Sequence, residues 1–271
     1  GLNQGEARIK SGEVLLGGED LLRKSGREMR KIQGDRMSII FQDPFTYLNP
    51  TMTVGRQITD VYRKHHKVSR KEANEKAVEI LKLISLPNPE ENMKRYPHQL
   101  SGGMRQRIMI AMALICEPQV LFADEPTTAL DVTVQAQIVE LMSSLKEKTD
   151  TSIVLITHDM GVVANMADRI YVMYAGKIME HGDANAVFYN PKHPYTEALL
   201  QAVPRPDQKV SGDLIAPPVV CPFAARCPKA MNICARRMPE YQDFPEPEHY
   251  SACWRNHPAC QAQERREPDE Q

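Results

Sequence analysis

The 271-residue sequence predicts an α/β fold built on a mostly parallel β-sheet. Two short apolar runs, residues 120–123 and 152–157, each end in polar side chains, and a helical pattern over residues 134–148 separates them. Strands that alternate with helices in this way form parallel sheets whose two faces are covered by the helices. Because such sheets bind ligands at the carboxyl ends of their strands, we expect the functional residues there.

The composition is typical of a soluble chain with one large core or two domains, since 42% of the residues are hydrophobic and 25% are charged. A formal net charge of −1 gives no overall electrostatic reason to expect nucleic-acid binding. The longest apolar run, residues 108–116, is too short to cross a bilayer. We therefore expect any membrane role to come through a partner.

The first strands are predicted from their turn residues. Residues 13–21 indicate a β-hairpin around Gly17 and Gly18, which readily adopt the positive φ angles of a tight turn. Residues 36–41 form the next apolar strand, which ends at Gln42 because the prolines that follow cannot continue it. No segment matches the phosphate-binding motif G-x-x-x-x-G-K-[ST].

Residues 52–96 are predicted to be helical. Apolar residues recur there every three to four positions, as an amphipathic helix requires: Ala73, Ala77, Ile80, Leu81 and Ile84. Residues 63–67 and 70–71 form a basic cluster, which we interpret as a solvated helical face. Contact of this cluster with anionic lipid head groups is the second interpretation.

Residues 100–131 carry the densest set of candidate functional residues. Ser101, Gly102 and Gly103 open an apolar helix, and a helix start without bulky side chains presents backbone N–H groups to a phosphate. At the end of the following strand, Asp124 and Glu125 suit Mg²⁺ and a water molecule. Taken alone, the first motif is also typical of a flexible turn, and the second is typical of a solvated strand end.

With residues 126–131 (PTTALD), this stretch resembles the signature loop, Walker B strand and D-loop of ATP-binding cassette (ABC) ATPases. Gln42, in the segment FQDP…LNP, resembles the Q-loop of the dipeptide and oligopeptide importer subfamily, and His158 resembles the H-loop histidine. The resemblance covers residues 13–254, but the Walker A loop is missing. We therefore expect an N-terminally truncated ABC-type nucleotide-binding domain that binds ATP very weakly by itself.

The resemblance implies a RecA-like core and a small cysteine-containing C-terminal extension, in four segments. Residues 1–43 would form a partial catalytic core up to the Q-loop, and residues 44–118 would form a helical subdomain with the signature motif. Residues 119–183 would form the core with the Walker B strand, D-loop and H-loop, and residues 184–271 would form the peptide-importer extension. Residues 169–174 and 177–180 are predicted to form a hairpin that closes the core. Residues 193–200 are predicted to start a short helix in the extension.

The resemblance also implies roles in ATP hydrolysis. Asp124 would hold Mg²⁺, and Glu125 would orient or deprotonate the attacking water. Gln42 and His158 would contact the region of the γ-phosphate, where negative charge must be stabilised. ATP and Mg²⁺ are therefore the expected ligands of this site.

A second subunit is part of the expected active site. In the family that the sequence resembles, the signature residues Ser101, Gly102 and Gly103 would close over ATP bound to the partner subunit. Asp131 would lie at this head-to-tail interface and couple the two sites. The dimer could be formed by identical or by different subunits.

Five of the six cysteines lie beyond residue 220. Thiolates gathered at one centre suit Zn²⁺ or an iron–sulfur cluster. The four that we assign to such a centre are Cys221, Cys227, Cys234 and Cys253, with Cys260 as a fifth candidate. Because their spacing departs from the close pairs of common zinc sites, and because peptide-importer ATPases carry cysteines in this pattern, we rank a [4Fe–4S] cluster first, zinc second and unliganded thiols third.

The cellular compartment bears on whether the cysteines form disulfides, and the position of Cys116 bears on its role. A disulfide framework is disfavoured, because a cytosolic ATPase sits in a reducing compartment. Cys116 lies on the apolar signature helix, and we interpret it as a small buried hydrophobic residue. The polar segment 261–271 is predicted to be disordered.

The function implied by the resemblance is the ATPase subunit of an importer of dipeptides, oligopeptides or similar solutes. Its partners would be a second ABC ATPase subunit, two transmembrane permease subunits and an extracytoplasmic solute-binding protein, and it would act peripherally at the cytoplasmic face of the cell membrane. Two alternatives stay open, a non-catalytic metal-binding or regulatory fragment and a soluble ABC ATPase unconnected with transport. The solute itself is not specified, since peptide, nickel and oligosaccharide importers share these motifs.

Overall fold

The structure, a computed structural model, describes residues 9–42, 47–127, 131–201, 221–245 and 248–260. The chain divides into two compact units, Gly1–His158 and Asp159–Gln271. Within the described residues, no helix combines the length and the apolar character that crossing a membrane would require. The loop after Gln42, the middle of the PTTALD segment and the predicted disordered tail 261–271 lie wholly or partly outside the described residues.

The first unit begins with the predicted hairpin. Strands β1 (Leu15–Leu16) and β2 (Glu19–Asp20) pair antiparallel. The turn between them places Gly17 and Gly18 at φ angles of 58° and 80°, which glycine adopts without the penalty of a Cβ atom. The prediction of a hairpin around these glycines is confirmed.

The centre of the first unit is a three-stranded parallel sheet in the order β3–β4–β5. Its strands are β3 (Met37–Ile40), β4 (Val120–Asp124) and β5 (Ser152–Ile156). In the parallel register, Ile40 lies beside Ala123 and Asp124 lies beside Ile156. All three strands therefore end at the same edge, which confirms the parallel sheet and brings the polar residues after each strand together.

One expectation about this sheet is wrong at β5. The sequence predicts a sheet covered by helices on both faces, yet Val154 and Ile156 of β5 are 42% and 50% exposed. Side chains alternate between the faces of a strand, so these two residues share one face with Ser152, which is also exposed. That face of β5 stays partly exposed among the described residues, so the expectation of cover on both faces is wrong there.

The first unit also contains the helices that follow and precede these strands. They are α1 (Gly26–Ile32), α2 (Val54–His65), α3 (Arg70–Leu83), α4 (Pro89–Asn92), α5 (Gly102–Leu114) and α6 (Val132–Lys148). Helices α2, α3 and α5 pack against one another, and α5 also packs on β3. Because α5 is buried around most of its circumference, it forms the core between the other helices and the sheet.

Helix α3 follows the predicted pattern. The side chains on its apolar face are buried, together with the residue that caps its end: Ala73, Ala77, Ile80, Leu81 and Ile84. Its start is fixed by a capping box, in which Ser69 and Glu72 each satisfy a backbone N–H group of the other. The lysines and arginines of the basic cluster are exposed, as expected of a solvated face: Arg63, Lys64, Lys67, Arg70 and Lys71.

The second unit is built on an antiparallel sheet in the order β6–β7–β9–β8. Its elements are α7 (Met160–Met166), β6 (Arg169–Tyr174), β7 (Lys177–Asp183), α8 (Ala184–Tyr189), α9 (Pro194–Gln201), β8 (Gln242–Asp243) and β9 (Tyr250–Ser251). The predicted hairpin is confirmed, with positive φ angles at Ala175 and Gly176, and so is the short helix after residue 193. Strand β7 also pairs with β9, which lies more than 60 residues later in the chain.

A fully buried carboxylate links β7 to two later parts of the second unit. Glu180 of β7 accepts hydrogen bonds from the backbone N–H groups of Lys192 and His193, both at 2.8 Å, and pairs with Nε2 of His249 at 2.7 Å. Both Glu180 and His249 have no exposed side-chain surface. A buried carboxylate is tolerated only when it is paired and hydrogen-bonded, and these contacts meet that requirement.

We predict that His193 makes the second unit less stable in mild acid. Burial lowers the pKa of His193 to about 4, while the nearby carboxylates of Glu180 and Glu197 oppose the shift. In the unfolded chain the histidine has a pKa of about 6.5, so between pH 6.5 and 4 it binds a proton that it does not bind in the folded chain. The free energy of unfolding therefore falls as the pH drops from about 6.5 towards 4. The expected loss is about 3 kcal/mol, at about 1.4 kcal/mol for each pKa unit.

Calorimetric unfolding across this pH range tests the prediction in a His193→Gln variant. Glutamine keeps an acceptor for the Tyr195 backbone N–H, which donates to Nδ1 of His193 at 3.0 Å. The variant should show a shallower decline of stability between pH 6.5 and 4 than the parent chain. An identical decline in both proteins would remove His193 as the cause.

Candidate functional site

The candidate site lies where the three parallel strands of the first unit end. Gln42 follows β3 by two residues, Asp124 and Glu125 lie at the end of β4, and His158 follows β5 by two residues. The strand register alone places these ends side by side. The sequence analysis named all four residues from three separate stretches, and the sheet brings these stretches together.

The carboxylate of Glu125 is held on both of its oxygens. The side-chain amide of Gln42 donates from Nε2 to Oε2 at 2.9 Å, and Nδ1 of His158 lies 3.0 Å from Oε1. Toward an ionised carboxylate the histidine nitrogen acts as the donor. Glu125 is thus oriented by one residue from each of the flanking strand ends, while its side chain stays 27% exposed.

The backbone of Glu125 adopts a left-handed conformation, with a φ angle of 44°. This region costs a non-glycine residue roughly 1–2 kcal/mol and is enriched at functional sites. The Glu125 N–H donates to the carbonyl of Ile156 at 2.8 Å, which continues the β4–β5 pairing one residue beyond the strand. The sheet therefore holds the turn that aims this carboxylate.

Asp124 is the last residue of β4 and is half-buried. Its neighbour across the ladder is Ile156, so it lies on the same face as the exposed side chain of that residue. Carboxylate oxygens are the protein ligands that Mg²⁺ prefers. Two carboxylates with different surroundings therefore stand next to each other, one hydrogen-bonded on both oxygens and one at the strand terminus.

The signature segment forms the start of α5. Ser101 is its N-cap, and its Oγ accepts a hydrogen bond from the Met104 N–H at 3.3 Å. Gly103 has a packing role that the sequence analysis did not predict, because a Cβ atom there would lie 2.7 Å from Cγ1 of Val134 on α6. The glycine is thus required for the close contact between two helices, whatever it binds.

Gln106 is a second residue that the sequence analysis missed. Its side chain is 1% exposed, and its Nε2 donates to the carbonyl of Pro126 at 2.6 Å, directly after Glu125. The available signal was its spacing of three and four residues from Gly103 and Ile110, which puts a polar residue on the packed face. The bond ties the signature helix to the turn that carries the candidate catalytic carboxylate.

Asp131 caps the other helix of this region. It is exposed, and its Oδ1 accepts a hydrogen bond from the Val134 N–H at 2.9 Å, which fixes the start of α6. An aspartate in this position also suits the positive end of the helix dipole. The capping contact gives Asp131 a structural role beside the interface role expected from the sequence.

In the second unit, all four cysteines of the predicted centre line one cavity of about 20 Å³. Burial raises the pKa of Cys221 and Cys227 and raises that of Cys253 to about 11. Backbone hydrogen bonds partly counter these shifts: Phe223 and Ala224 bond to Cys221, Lys229 bonds to Cys227, and Arg255 bonds to Cys253. Cys260 is not among the residues lining this cavity.

Comparison with protein families gives two matches. Residues 2–128 match the family described as "ABC transporter". Residues 179–234 match the family described as "Oligopeptide/dipeptide transporter, C-terminal region". The first match includes Gln42 and Glu125, and the second includes Cys221, Cys227 and Cys234, whereas His158 and Cys253 lie outside both matches.

Curated relatives resemble the chain over nearly its whole length. The dipeptide transport ATP-binding protein DppD of Bacillus subtilis is 52% identical over 257 residues, which are 92% of this chain and 76% of the relative. The oligopeptide transport ATP-binding protein OppD of Escherichia coli is 47% identical over 264 residues, which are 94% of this chain and 77% of the relative.

Solved structures resemble part of the chain. The dimeric ATP-binding cassette MJ0796 in a post-hydrolysis state, bound to ADP and Pi, has a TM-score of 0.58 and 29% identity, over 65% of this chain and 74% of that one. CbiO1 from Clostridium perfringens, part of the ABC transporter complex CbiONQ, has a TM-score of 0.59 and 26% identity, over 69% of this chain and 71% of that one.

We predict that Gly103→Ala destabilises the first unit by about 1–3 kcal/mol, the usual cost of forcing extra volume into a packed contact. The added Cβ meets Cγ1 of Val134, so Val134→Ala in the same chain should recover most of the loss. Thermal unfolding of the two single variants and the double variant measures this coupling. Additive losses in the double variant would show that the two side chains do not share the contact.

Proposed function

Because this chain belongs to the ABC transporter family, we propose that it is the ATP-binding subunit that hydrolyses ATP to drive the transport of dipeptides or oligopeptides. The names of the relatives support the peptide class, and so does the match of residues 179–234 to the C-terminal region of oligopeptide and dipeptide transporters. The hydrogen-bonded group of Gln42, Glu125 and His158 at the strand ends is the observation that carries the proposal.

Glu125 is proposed to position and deprotonate the attacking water. A general base needs a carboxylate held in a fixed direction and accessible to water, and Glu125 has both properties. Each carboxylate oxygen has two lone pairs, so the attacking water can donate to Glu125 beside the bonds from Gln42 and His158. Gln42 and His158 are proposed to contact the region of the γ-phosphate, where charge develops in the transition state.

Asp124 is proposed to hold Mg²⁺, directly or through water. The donor set fits, since a half-buried carboxylate at a strand end is a hard oxygen ligand that leaves room for water and phosphate oxygens. When bound, Mg²⁺ would neutralise charge on the phosphates. In this proposal Asp124 binds the metal, and Glu125 accepts the proton from the attacking water.

A second nucleotide-binding subunit is the first proposed partner. Ser101, Gly102 and Gly103 start a helix whose N-terminal N–H groups suit a phosphate, and we assign them to ATP held by the other subunit. Asp131 is proposed to lie at the same interface. The dimeric state named for the related cassette MJ0796 supports this arrangement.

The remaining proposed partners are two transmembrane permease subunits and an extracytoplasmic solute-binding protein, with this chain peripheral at the cytoplasmic face of the cell membrane. The solute would be selected by those partners.

We also propose four functional segments of the chain. Residues 1–43 and 119–183 form the catalytic core, residues 44–118 form the helical subdomain, and residues 184–271 form the extension.

The cysteine cavity is proposed to hold a [4Fe–4S] cluster, with zinc as the second candidate and unliganded thiols as the third. Four thiols line one cavity, and backbone N–H groups already point at three of them, a pattern that stabilises thiolates bound to metal. The cavity has a volume of about 20 Å³, which is enough for one water-sized group, so it would have to widen to hold a cluster. The proposed role is structural or regulatory.

Glu125→Gln tests the catalytic assignment in the assembled transporter. The variant should keep ATP binding and lose turnover by about 10²- to 10⁴-fold, the usual cost of removing a general base. The matched control is Glu140→Gln, since Glu140 is an exposed glutamate on α6. Near-normal hydrolysis by Glu125→Gln would remove this residue from the role, whereas loss in both variants would point to a general defect.

Anaerobic purification followed by visible absorption and metal analysis tests the cysteine assignment. A brown protein with about four irons per chain is expected for a [4Fe–4S] cluster. Cys234→Ser should lose the colour, whereas Cys260→Ser should keep it because Cys260 does not line the cavity. A colourless preparation without iron would contradict the cluster, and stoichiometric zinc in its place would favour the second candidate.

A further inference from the structure

The two histidines of the basic cluster in the first unit do not share its solvated face. His65 ends α2 and packs over Gly34, whereas His66 is the C-cap of α2 and packs at an angle of 35° against the ring of Tyr62. His66 is directed toward Asp35, in the turn before β3, and toward Cys116, just after α5. Three separate segments of the chain thus deliver a carboxylate, an imidazole and a thiol to one place.

The spacing of these three side chains suits a metal ion. One ligand atom from each of Asp35, His66 and Cys116 lies within 4.8 Å of the other two. Nε2 of His66 is 3.5 Å from Oδ1 of Asp35. Two such atoms bound to one tetrahedral zinc ion would be about 3.4 Å apart, given metal–ligand distances near 2.1 Å.

The ring nitrogen Nε2 of His66 is available as a metal ligand. Nε2 is buried and has no hydrogen-bond partner among the described residues, although the side chain as a whole is 38% exposed. A buried polar atom without a partner is destabilising. A metal ion between His66 and Asp35 would satisfy this lone pair.

We propose that Asp35, His66 and Cys116 form a binding site for a divalent transition-metal ion of the zinc class. One carboxylate, one imidazole and one thiolate are a borderline set of ligands that selects zinc-like ions over Mg²⁺ and Ca²⁺. Three protein ligands leave the fourth position for water, since Asp35 and His66 are partly exposed. The chain would bind the ion with loss of one proton from the Cys116 thiol.

Of the three ligands, Cys116 is the one whose protonation state has to change when the ion binds. Cys116 is 9% exposed, and burial raises its pKa to about 12, with the negative charges of Asp35 and Glu117 adding to the shift. Thiolates bind metal and thiols do not, so binding is coupled to release of this proton. The divalent charge compensates for placing a thiolate beside the Asp35 carboxylate.

The backbone N–H groups of Asp35 and His66 are hydrogen-bonded within the fold. The Asp35 N–H donates to Ile32 at the end of α1, and the His66 N–H donates to Tyr62 within α2. An occupied site would cross-link the turn before β3 to the ends of α2 and α5. The ion would therefore stiffen the packing between the helices and the sheet, independently of ATP hydrolysis and of the cysteines in the second unit.

Zinc titration of the full chain tests the proposal. Metal is first removed from the reduced protein, and Zn²⁺ is then added in the presence of a competing chelator for the parent chain, Cys116→Ala and His66→Gln. Both variants should bind one equivalent fewer, or bind it at least about 10- to 100-fold more weakly, which is the cost of losing even an outer-shell partner. Zinc bound by the second unit is the same in all three proteins and cancels in the comparison.

His65→Gln is the matched control, because it removes a neighbouring histidine that is not part of the group. Co²⁺ gives a second readout, since the parent chain should show thiolate-to-cobalt charge-transfer absorption that Cys116→Ala lacks. If Cys116→Ala fails to fold, the half-exposed His66→Gln still decides the outcome. Equal zinc stoichiometry and affinity in the parent chain and His66→Gln, or an equal loss in His65→Gln, would overturn the site.

Discussion

The parallel pairing of β4 with β3 on one side and β5 on the other is the constraint on which the first unit depends. It brings together three chain segments that are distant in sequence and makes their carboxyl ends coincide. Gln42 and His158 reach Glu125 only because each follows its strand by two residues in this register. A shift of the register by one residue would turn these side chains to the other face and break the group.

Packing of α5 then fixes what surrounds the strand ends. The helix lies against β3, and at its start Gly103 allows the close approach of α6. Gln106 bonds to the turn directly after Glu125, in a setting where an unmade hydrogen bond would cost about 1–3 kcal/mol. The start of α5 and the turn at Glu125 therefore belong to one packed structure within this unit.

The sequence predicts most of this arrangement because its signals are local. A short apolar run followed by Glu125 or His158 indicates a strand end, and parallel strands share one edge, so the meeting of these residues follows. Contacts between distant side chains carry no such signal. The approach of Gly103 to α6 and the meeting of His66 with Cys116 both depend on how helices pack, which periodicity does not specify. The open face of β5 was missed because an apolar run predicts burial without showing what covers it.

The central claim is that Gln42, Glu125 and His158 act as one hydrolytic group. Single-turnover ATP hydrolysis, measured in the assembled transporter for His158→Ala, Glu125→Gln and the double variant, tests it most directly. Residues that work as a unit give strongly non-additive losses, so the double variant should be little slower than Glu125→Gln alone. If the two losses instead multiply, the histidine and the carboxylate act independently and the account is wrong.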